Sequence, residues 1–364
     1  MKKAIRRLLA ALFLLVLDGL AMFVFHRRPE YFFPVYRQIS QKWIVFLSGL
    51  TSFVKVAVWD IGAVVLLAAV IVTLVVVIIR RRGFLSWLSG VLLGMSVLWF
   101  IVVYGWMLNH YAPPLAQELG FTVREYSKDE LYDACDYYLR KAGEYAVQAD
   151  RDDGGHLVIR DFYKIAESAG SAYERVSEIY PVLTGSSVRV KKLSVVGEYL
   201  MYNGIIGMFM PLTAEAGVPG SVPPAPLPYT MTHEAAHRLG IASEEEANFA
   251  AFLACVHHPD TIFLYSGYYS AFSYCFSSLY KIDPELAAEL YHKYDEQEGI
   301  QLLQQDRRDT SEIYKKYESP MKEISDQIND TYLKTFSEES GIQSYGEVTD
   351  DLIAWYLALG DDDE

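Results

Sequence analysis

Three long apolar runs occupy the first third of the chain and restrict its fold more than any other feature. They cover residues 8–25, 56–79 and 84–107. Each is close to the roughly 20 residues that cross the hydrocarbon core of a bilayer. The basic segment MKKAIRR precedes the first run, which is typical of a signal peptide or of an N-terminal anchor. Because FHRRPEYFF follows, without a small-residue cleavage site, we expect an uncleaved anchor.

A shorter apolar segment, residues 39–55, lies between the first two runs and is interrupted by Ser and Gly. It predicts an interfacial or re-entrant helix rather than a fourth crossing.

Basic residues indicate the orientation of the spans. Two clusters flank them: Lys2, Lys3, Arg6 and Arg7 before the first, and Arg80, Arg81 and Arg82 between the second and third. The positive-inside rule places both clusters in the cytoplasm, and three spans then place everything after residue 107 outside it. The first loop opposes this arrangement, since it contains Arg27, Arg28, Arg37 and Lys42. We expect a multi-pass protein of the cytoplasmic membrane whose second domain is extracytoplasmic.

The composition changes sharply after the third run. Residues 1–112 hold twelve Lys and Arg against three acids, a formal +9, so the remainder carries −23 to give the overall −14. Pro113 and Pro114 mark the boundary, which predicts a transmembrane region over 1–112 and a second domain over 113–364. The acidic second domain argues against a nucleic-acid partner, because it would repel phosphates.

The second domain is predicted to be mainly helical with a small sheet. Amphipathic patterns predict helices over 128–149, 160–181, 244–257, 261–280, 284–304, 308–336 and 345–359. Clustered β-branched and apolar residues over 187–213 predict one or two strands. Within them, residues 204–213 form either an edge strand that pairs with an extended substrate or an ordinary buried strand. The predicted fold class is therefore mainly α: three transmembrane helices followed by an α+β domain.

A Pro-rich loop, 218–230, leads into the segment THEAAHRLGIASEEEANF. His233 and His237 are four residues apart, so a helix would place both imidazoles on one face, where they can bind zinc. Glu234 can then take a proton from the attacking water as the general base. The alternative is a pair of structural histidines beside a solvated acidic helix start.

A catalytic zinc ion usually has three protein ligands and one open position. In the pattern HExxHxxGxxH the third ligand would fall at residue 243, which is Ser243 here and a plausible helix N-cap. Glu244 and Asn248 share one helix face, so Glu244 would bind zinc while Asn248 orients a histidine. Glu246 is the alternative ligand, because the register at a helix start is open.

Several other side chains are candidates for supporting roles. Donors to a developing oxyanion would come from Tyr332, Tyr265, Tyr268, Tyr269, His257 or His258. Glu215 would bind a substrate amine, orient the motif helix or make a structural hydrogen bond.

The segment HEAAHRLGIASEEEANFAAFLAC resembles the HExxH zinc peptidase superfamily, in particular its gluzincin-like members. In several of those families the Glu of a Glu-x-x-Ala-Asp motif supplies the third ligand. Glu244, Ala247 and Asn248 match that spacing, with Asn in place of Asp.

The whole chain is similar to a bacterial membrane family, "domain of unknown function 3810". The similarity rests on the three spans and on LNHYAPPL, PLTAEA, LPYTMTHEAAH, EEEANFAAFLAC, YSGYYSA and NDTYLK. It implies a membrane-anchored, zincin-like domain and brings no substrate with it.

The leading hypothesis is a zinc metallopeptidase, anchored in the bilayer, that hydrolyses a protein or peptide. The alternative is a non-enzymatic membrane sensor or scaffold that retains a zincin fold, which would have no need of a carboxylate at Glu234. A transporter is a third hypothesis, although the spans contain no relay of Asp, Glu and His. The sequence does not indicate an oligomeric state.

Overall fold

The computed structural model describes residues 1–320, the single residues 322, 325 and 327, and residues 344–361. In the described part, three helical segments are long and apolar enough to cross a membrane: Lys2–Arg27, Val58–Arg80 and Phe84–Tyr111. They correspond to the three runs found in the sequence. The helices are α1 (Lys2–Arg27), α3 (Val58–Arg80) and α4 (Phe84–Gly105), and a 3-10 turn, Met107–Tyr111, continues α4.

Helix α2 (Pro29–Thr51) fills the loop between the first two spans. It begins ten residues before the predicted segment 39–55, because Pro29 is tolerated in the first turn of a helix. One face is buried against the rest of the protein through Phe33, Tyr36 and Ile44. Its opposite face exposes apolar side chains. This two-sided pattern is typical of a helix that lies at an interface.

Helices also dominate the second domain. They are α5 (Leu115–Glu118), α6 (Lys128–Ala146), α7 (Phe162–Ile179), α8 (Gly197–Tyr202), α9 (Leu227–Arg238), α10 (Glu244–Val256), α11 (Thr261–Ile282), α12 (Pro284–His292), α13 (Glu298–Lys315) and α14 (Ser344–Asp361). The predicted mainly α class is confirmed.

One predicted pair of helices has the wrong boundary. The pattern predicts helices over 284–304 and 308–336, whereas the chain turns at 293–297 and α13 begins at Glu298. The reason is tertiary: α13 packs tightly on α6 at Gly299, where an added Cβ would lie 2.1 Å from the carbonyl oxygen of Gly143. Most of the predicted residues beyond 320 lie outside the described part of the chain.

A three-stranded sheet is formed by the chain between α7 and α9. Its strands are β1 (Lys191–Leu193), β2 (Met208–Met210) and β3 (Glu215–Pro219), in the order β1-β3-β2. β1 is parallel to β3, and β2 is antiparallel to it. The sequence predicts β1 and β2 but misses α8 between them and the central strand β3. β3 reads EAGVP, which lacks alternation because all five residues are buried.

Two buried carboxylates connect this sheet to the first turn of α3. The Asp60 carboxylate accepts hydrogen bonds from the backbone N–H groups of residues 194–196, each at 2.7 Å. Glu215 accepts bonds from the N–H groups of Val58 and Trp59 at 3.0 Å. Of the roles considered for Glu215, the structure therefore places it in a structural hydrogen bond at the start of a span.

The core of the second domain surrounds α9 and α10. Ala235 and Ala236 of α9 and Ala247, Ala250 and Ala251 of α10 are fully buried. Small side chains let the two helices approach closely, which brings the residues at the end of α9 next to those at the start of α10.

Candidate metal centre

A tight turn brings the two halves of the motif together. α9 ends at Arg238, and Gly240 follows with φ of +91°, a left-handed conformation that favours glycine. Ser243 caps α10, since its side chain accepts a hydrogen bond from the backbone N–H of Glu246. The predicted turn and N-cap are both present. The start of α10 consequently faces the last turn of α9.

Three side chains meet across this turn. The His233 Nε2 atom lies 3.2 Å from Glu244 Oε2, and His237 Nε2 lies 3.7 Å from Glu244 Oε1. The two Nε2 atoms are 3.1 Å apart. Ligands at about 2.0–2.1 Å from a tetrahedral zinc ion are themselves roughly 3.3 Å apart. The spacing of these donors therefore fits a single small cation.

The rings differ in their electrostatic surroundings. Burial lowers the pKa of His237 to about 4. Its Nδ1–H donates to the carbonyl of Ile241 at 2.8 Å, so the lone pair is on Nε2, which faces the cluster. Burial also lowers the pKa of His233, but the hydrogen bond and charge of Glu244 outweigh it and raise that pKa. A neutral imidazole beside a carboxylate is a donor set that zinc prefers.

Glu234 lies beside the cluster and is almost completely buried, with 5% of its surface exposed. Burial raises its pKa to about 8, opposed by the charge of His233 and assisted by that of Glu244. Its Oε2 atom has no hydrogen-bond partner among the described residues. Gly207 lies against it: an added Cβ at that position would be 2.2 Å from Glu234 Oε1. Only a glycine leaves the carboxylate its present space.

Asn248 is one turn beyond Glu244. It is close enough to His233 to raise the pKa of that ring, after the larger effects of burial and Glu244. Its Oδ1 accepts bonds from the hydroxyls of Tyr229 at 3.3 Å and Tyr274 at 3.1 Å, while Asn248 Nδ2 and His233 Nδ1 lack partners of good geometry in the described structure. Exchanging the two ends of the amide would present Oδ1 to the ring, and the tyrosine hydroxyls would then accept.

Glu246, the alternative ligand, is directed elsewhere. Its Oε1 accepts a hydrogen bond from the backbone N–H of Leu115 at 2.7 Å, at the start of α5. The structure therefore brings Glu244, and not Glu246, to the two histidines.

The other candidates have their own partners. Tyr265 donates to Asp306 at 2.5 Å. Tyr268 stacks on Tyr145. A ring nitrogen of His257 contacts the carbonyl of Leu253, and one of His258 accepts from the N–H of Asp260. Tyr269 lines a cavity that Ile206, the neighbour of Gly207, also lines, and Tyr332 lies outside the described residues.

Sequence reasoning missed three neighbours of the site. The local sequence of Gly207, GIIG, does not indicate a role in the site, because glycine is common in turns of every kind. Tyr274 is one of 27 tyrosines. Trp106, at the end of the third span, donates its Nε1–H to the carbonyl of His237 at 3.0 Å. Tryptophan at the end of a span is common at membrane interfaces, so its sequence position indicates the bilayer and not the site.

Comparisons with known proteins identify one family. Its model, described as "Protein of unknown function (DUF3810)", matches residues 32–353. No curated protein and no solved structure matches the chain. Because the match covers most of its length, the chain belongs to the DUF3810 family.

Proposed function

We propose that this protein is a membrane-anchored, zinc-dependent peptidase with a zincin-like, gluzincin-related domain. The observation that carries the proposal is the group His233, His237 and Glu244, whose ligand atoms all lie within 4.8 Å of one another, beside the buried carboxylate of Glu234. Two imidazoles and the partly exposed Glu244 converge beside the buried Glu234, and burying polar groups is costly unless partners or a ligand compensate them.

His233, His237 and Glu244 would hold the zinc ion. When bound in such a site, zinc lowers the pKa of a water molecule and polarises a carbonyl group. Asn248 would orient the His233 ring by accepting a hydrogen bond from its Nδ1–H, on the side away from the zinc ion.

Glu234 would be the general base. Its Oε2 atom, which has no partner in the described structure, would accept a proton from the attacking water. The same carboxyl would then deliver that proton to the nitrogen of the departing amine. Gly207 serves this step by leaving room for the carboxylate.

The substrate would bind as an extended strand. Among the described residues, β2 pairs with β3 alone and is one of the two outer strands of the sheet, and Gly207 immediately precedes it. An extended peptide can add to such an edge through main-chain hydrogen bonds. A cavity of about 560 Å³, lined in part by Ile206, Tyr269 and Tyr314, offers space for a substrate side chain.

The buried Glu234 also favours an enzyme over a sensor or scaffold. A carboxylate with an unpartnered buried oxygen destabilises the fold by roughly 1–3 kcal/mol, which a purely structural domain would avoid. By the basic clusters near the first span and between the other two, we place the site on the extracytoplasmic side of a bacterial cytoplasmic membrane.

The direct test combines metal analysis with single substitutions in the full-length protein in detergent. The wild type should hold one zinc ion per chain, and His233→Ala should lose it. Glu234→Gln should retain zinc, while cleavage of casein and of a mixture of quenched peptides falls by about 10²–10⁴-fold. Glu245→Gln and His292→Ala are matched controls, since neither belongs to the cluster. A wild-type protein that binds no zinc at neutral pH would overturn the proposal.

A further inference from the structure

The last span ends directly against the metal centre. α4 stops at Gly105, and the next residue, Trp106, donates to the carbonyl of His237. The Trp106 ring lies 6.1 Å from the ring of His237 and 5.3 Å from that of Phe209 in β2. One side chain at the end of a span therefore contacts both the ligand-bearing helix and the edge strand.

The second span is attached to the same sheet at its first turn. The N–H of Ala57 donates to the carbonyl of Lys192 in β1 at 3.1 Å, and Asp60 and Glu215 add the hydrogen bonds described above. α3 has 23 residues, which gives about 34 Å of helix. The hydrocarbon core is about 30 Å thick, so α3 needs nearly its whole length to cross. Its first turn, with the sheet bound to it, then lies at the bilayer surface.

A stripe of exposed apolar side chains on and just after α2 lies beside these span ends. It consists of Phe32, Val35, Ile39, Phe46, Leu50 and Phe53. Phe53 is 82% exposed. The intervals of three, four and seven residues place the five members within α2 on one helix face. α2 packs on α1 and α4, and Trp43 lies against Gly105. Because α2 packs on two of the apolar spans and exposes this stripe beside them, its occupant is the bilayer.

We propose that the site acts on a polypeptide segment held at the bilayer surface, namely the stretch next to the membrane anchor of another protein. This inference rests on the proposed peptidase function and names its substrate class. An extended chain advances about 3.3 Å per residue, so a strand paired with β2 reaches the span ends within a few residues. A soluble polypeptide is not held at the bilayer surface and so is not concentrated near β2.

The test uses liposomes that contain the full-length protein and one randomised peptide library in three forms. One form is soluble, and two are anchored by a single transmembrane helix through Gly/Ser linkers of about 4 and about 24 residues. Cleavage is measured by mass spectrometry, with Glu234→Gln subtracted. Both anchored forms are equally concentrated in the membrane. Effective concentration falls steeply with linker length, so the short linker should be cleaved roughly tenfold faster.

The outcomes separate this inference from the peptidase proposal. Equal cleavage of the two anchored forms, faster cleavage with the long linker, or equal cleavage of the soluble form overturns the inference and leaves the peptidase intact. Absence of cleavage in every form overturns both.

A second measurement does not depend on activity. Nitroxide labels on Phe46→Cys and Phe53→Cys, with Glu144→Cys in α6 as the water-exposed control, are compared by their accessibility to oxygen and to a water-soluble nickel complex. The three native cysteines are buried. The two stripe labels should be accessible to oxygen and protected from nickel. Labels that resemble the control would place α2, and the site with it, away from the bilayer.

Discussion

Buried carboxylates lie at the α3–sheet junction and at the α9–α10 turn, and their surroundings differ. At the junction, both oxygens of Asp60 and of Glu215 accept hydrogen bonds from backbone N–H groups. At the turn, Glu234 Oε2 is buried without a partner among the described residues. A buried carboxylate whose oxygens all accept hydrogen bonds is compatible with a stable fold. One without such partners destabilises the fold, which is typical of a residue that binds a ligand or takes part in a reaction.

Buried acidic residues in this protein therefore differ in role. Asp60 lies in an apolar run and Glu215 in the segment PLTAEA, and both accept hydrogen bonds from backbone N–H groups, which is a structural role. Asp18, in the first span, also lacks a hydrogen-bond partner among the described residues, but none of the described groups that could bind a metal includes it. The cluster at the turn is the one described group of three side chains that fits a metal ion.

Asp60→Ala should have the largest effect. It leaves the backbone N–H groups of residues 194–196, which are part-buried, without acceptors, so the free energy of unfolding should fall by about 3–5 kcal/mol. Thermal unfolding in detergent, followed by circular dichroism, measures the change. Glu234→Gln is the control: it replaces a buried carboxyl that lacks a partner for Oε2 by an amide of the same shape, and the metal-free protein should be no less stable than the wild type. An Asp60→Ala protein as stable as the wild type would show that the hydrogen bonds to Asp60 do not stabilise the fold.

Glu244→Gln should weaken zinc binding by more than about 100-fold, because removing a ligand costs more than the 10–100-fold typical of its supporting residues. Glu246→Gln should leave zinc affinity within about twofold, since that carboxylate binds the N–H of Leu115. Competition with a fluorescent chelator gives both dissociation constants. Equal losses in the two variants would show that the acidic cluster acts as a whole and not through Glu244.

Gly207→Ala should retain zinc but lower the rate of peptide cleavage by about 100-fold, because the new methyl group must displace the Glu234 carboxylate. Gly94→Ala in α4 is the matched control, since nothing lies within 4 Å of its added Cβ. Zinc content and cleavage rate are measured on the same preparation. Unchanged cleavage in Gly207→Ala would remove Glu234 from the reaction.

Trp106→Phe should have the smallest effect. It removes one hydrogen bond to the carbonyl of His237, worth about 1 kcal/mol, so zinc affinity should fall by about fivefold at most. Trp87→Phe also loses an indole hydrogen bond, to Thr73, but far along the span from the site. Zinc affinity of the two variants, measured together, shows whether contact with the span end supports the metal helix. Identical zinc affinities in the two variants would show that the contact between Trp106 and the metal helix does not affect zinc binding.

The sequence by itself determined what depends on local periodicity. Run length gave the three spans, the interval of four residues placed His233 and His237 on one helix face, and Gly240 and Ser243 gave the turn and the cap. These features depend on backbone geometry within a few residues, which residue type and spacing encode directly.

Only the tertiary structure decided which carboxylate faces the histidines, that Gly207 borders Glu234, and that Trp106 joins the last span to the metal helix. It also revealed β3, whose residues are buried on both faces and so lack alternation, and the backbone partners of Asp60 and Glu215. Each of these is a contact between segments distant in sequence. The orientation of Glu244 and the space around Glu234 depend on how whole helices and strands pack, and no local pattern carries that information.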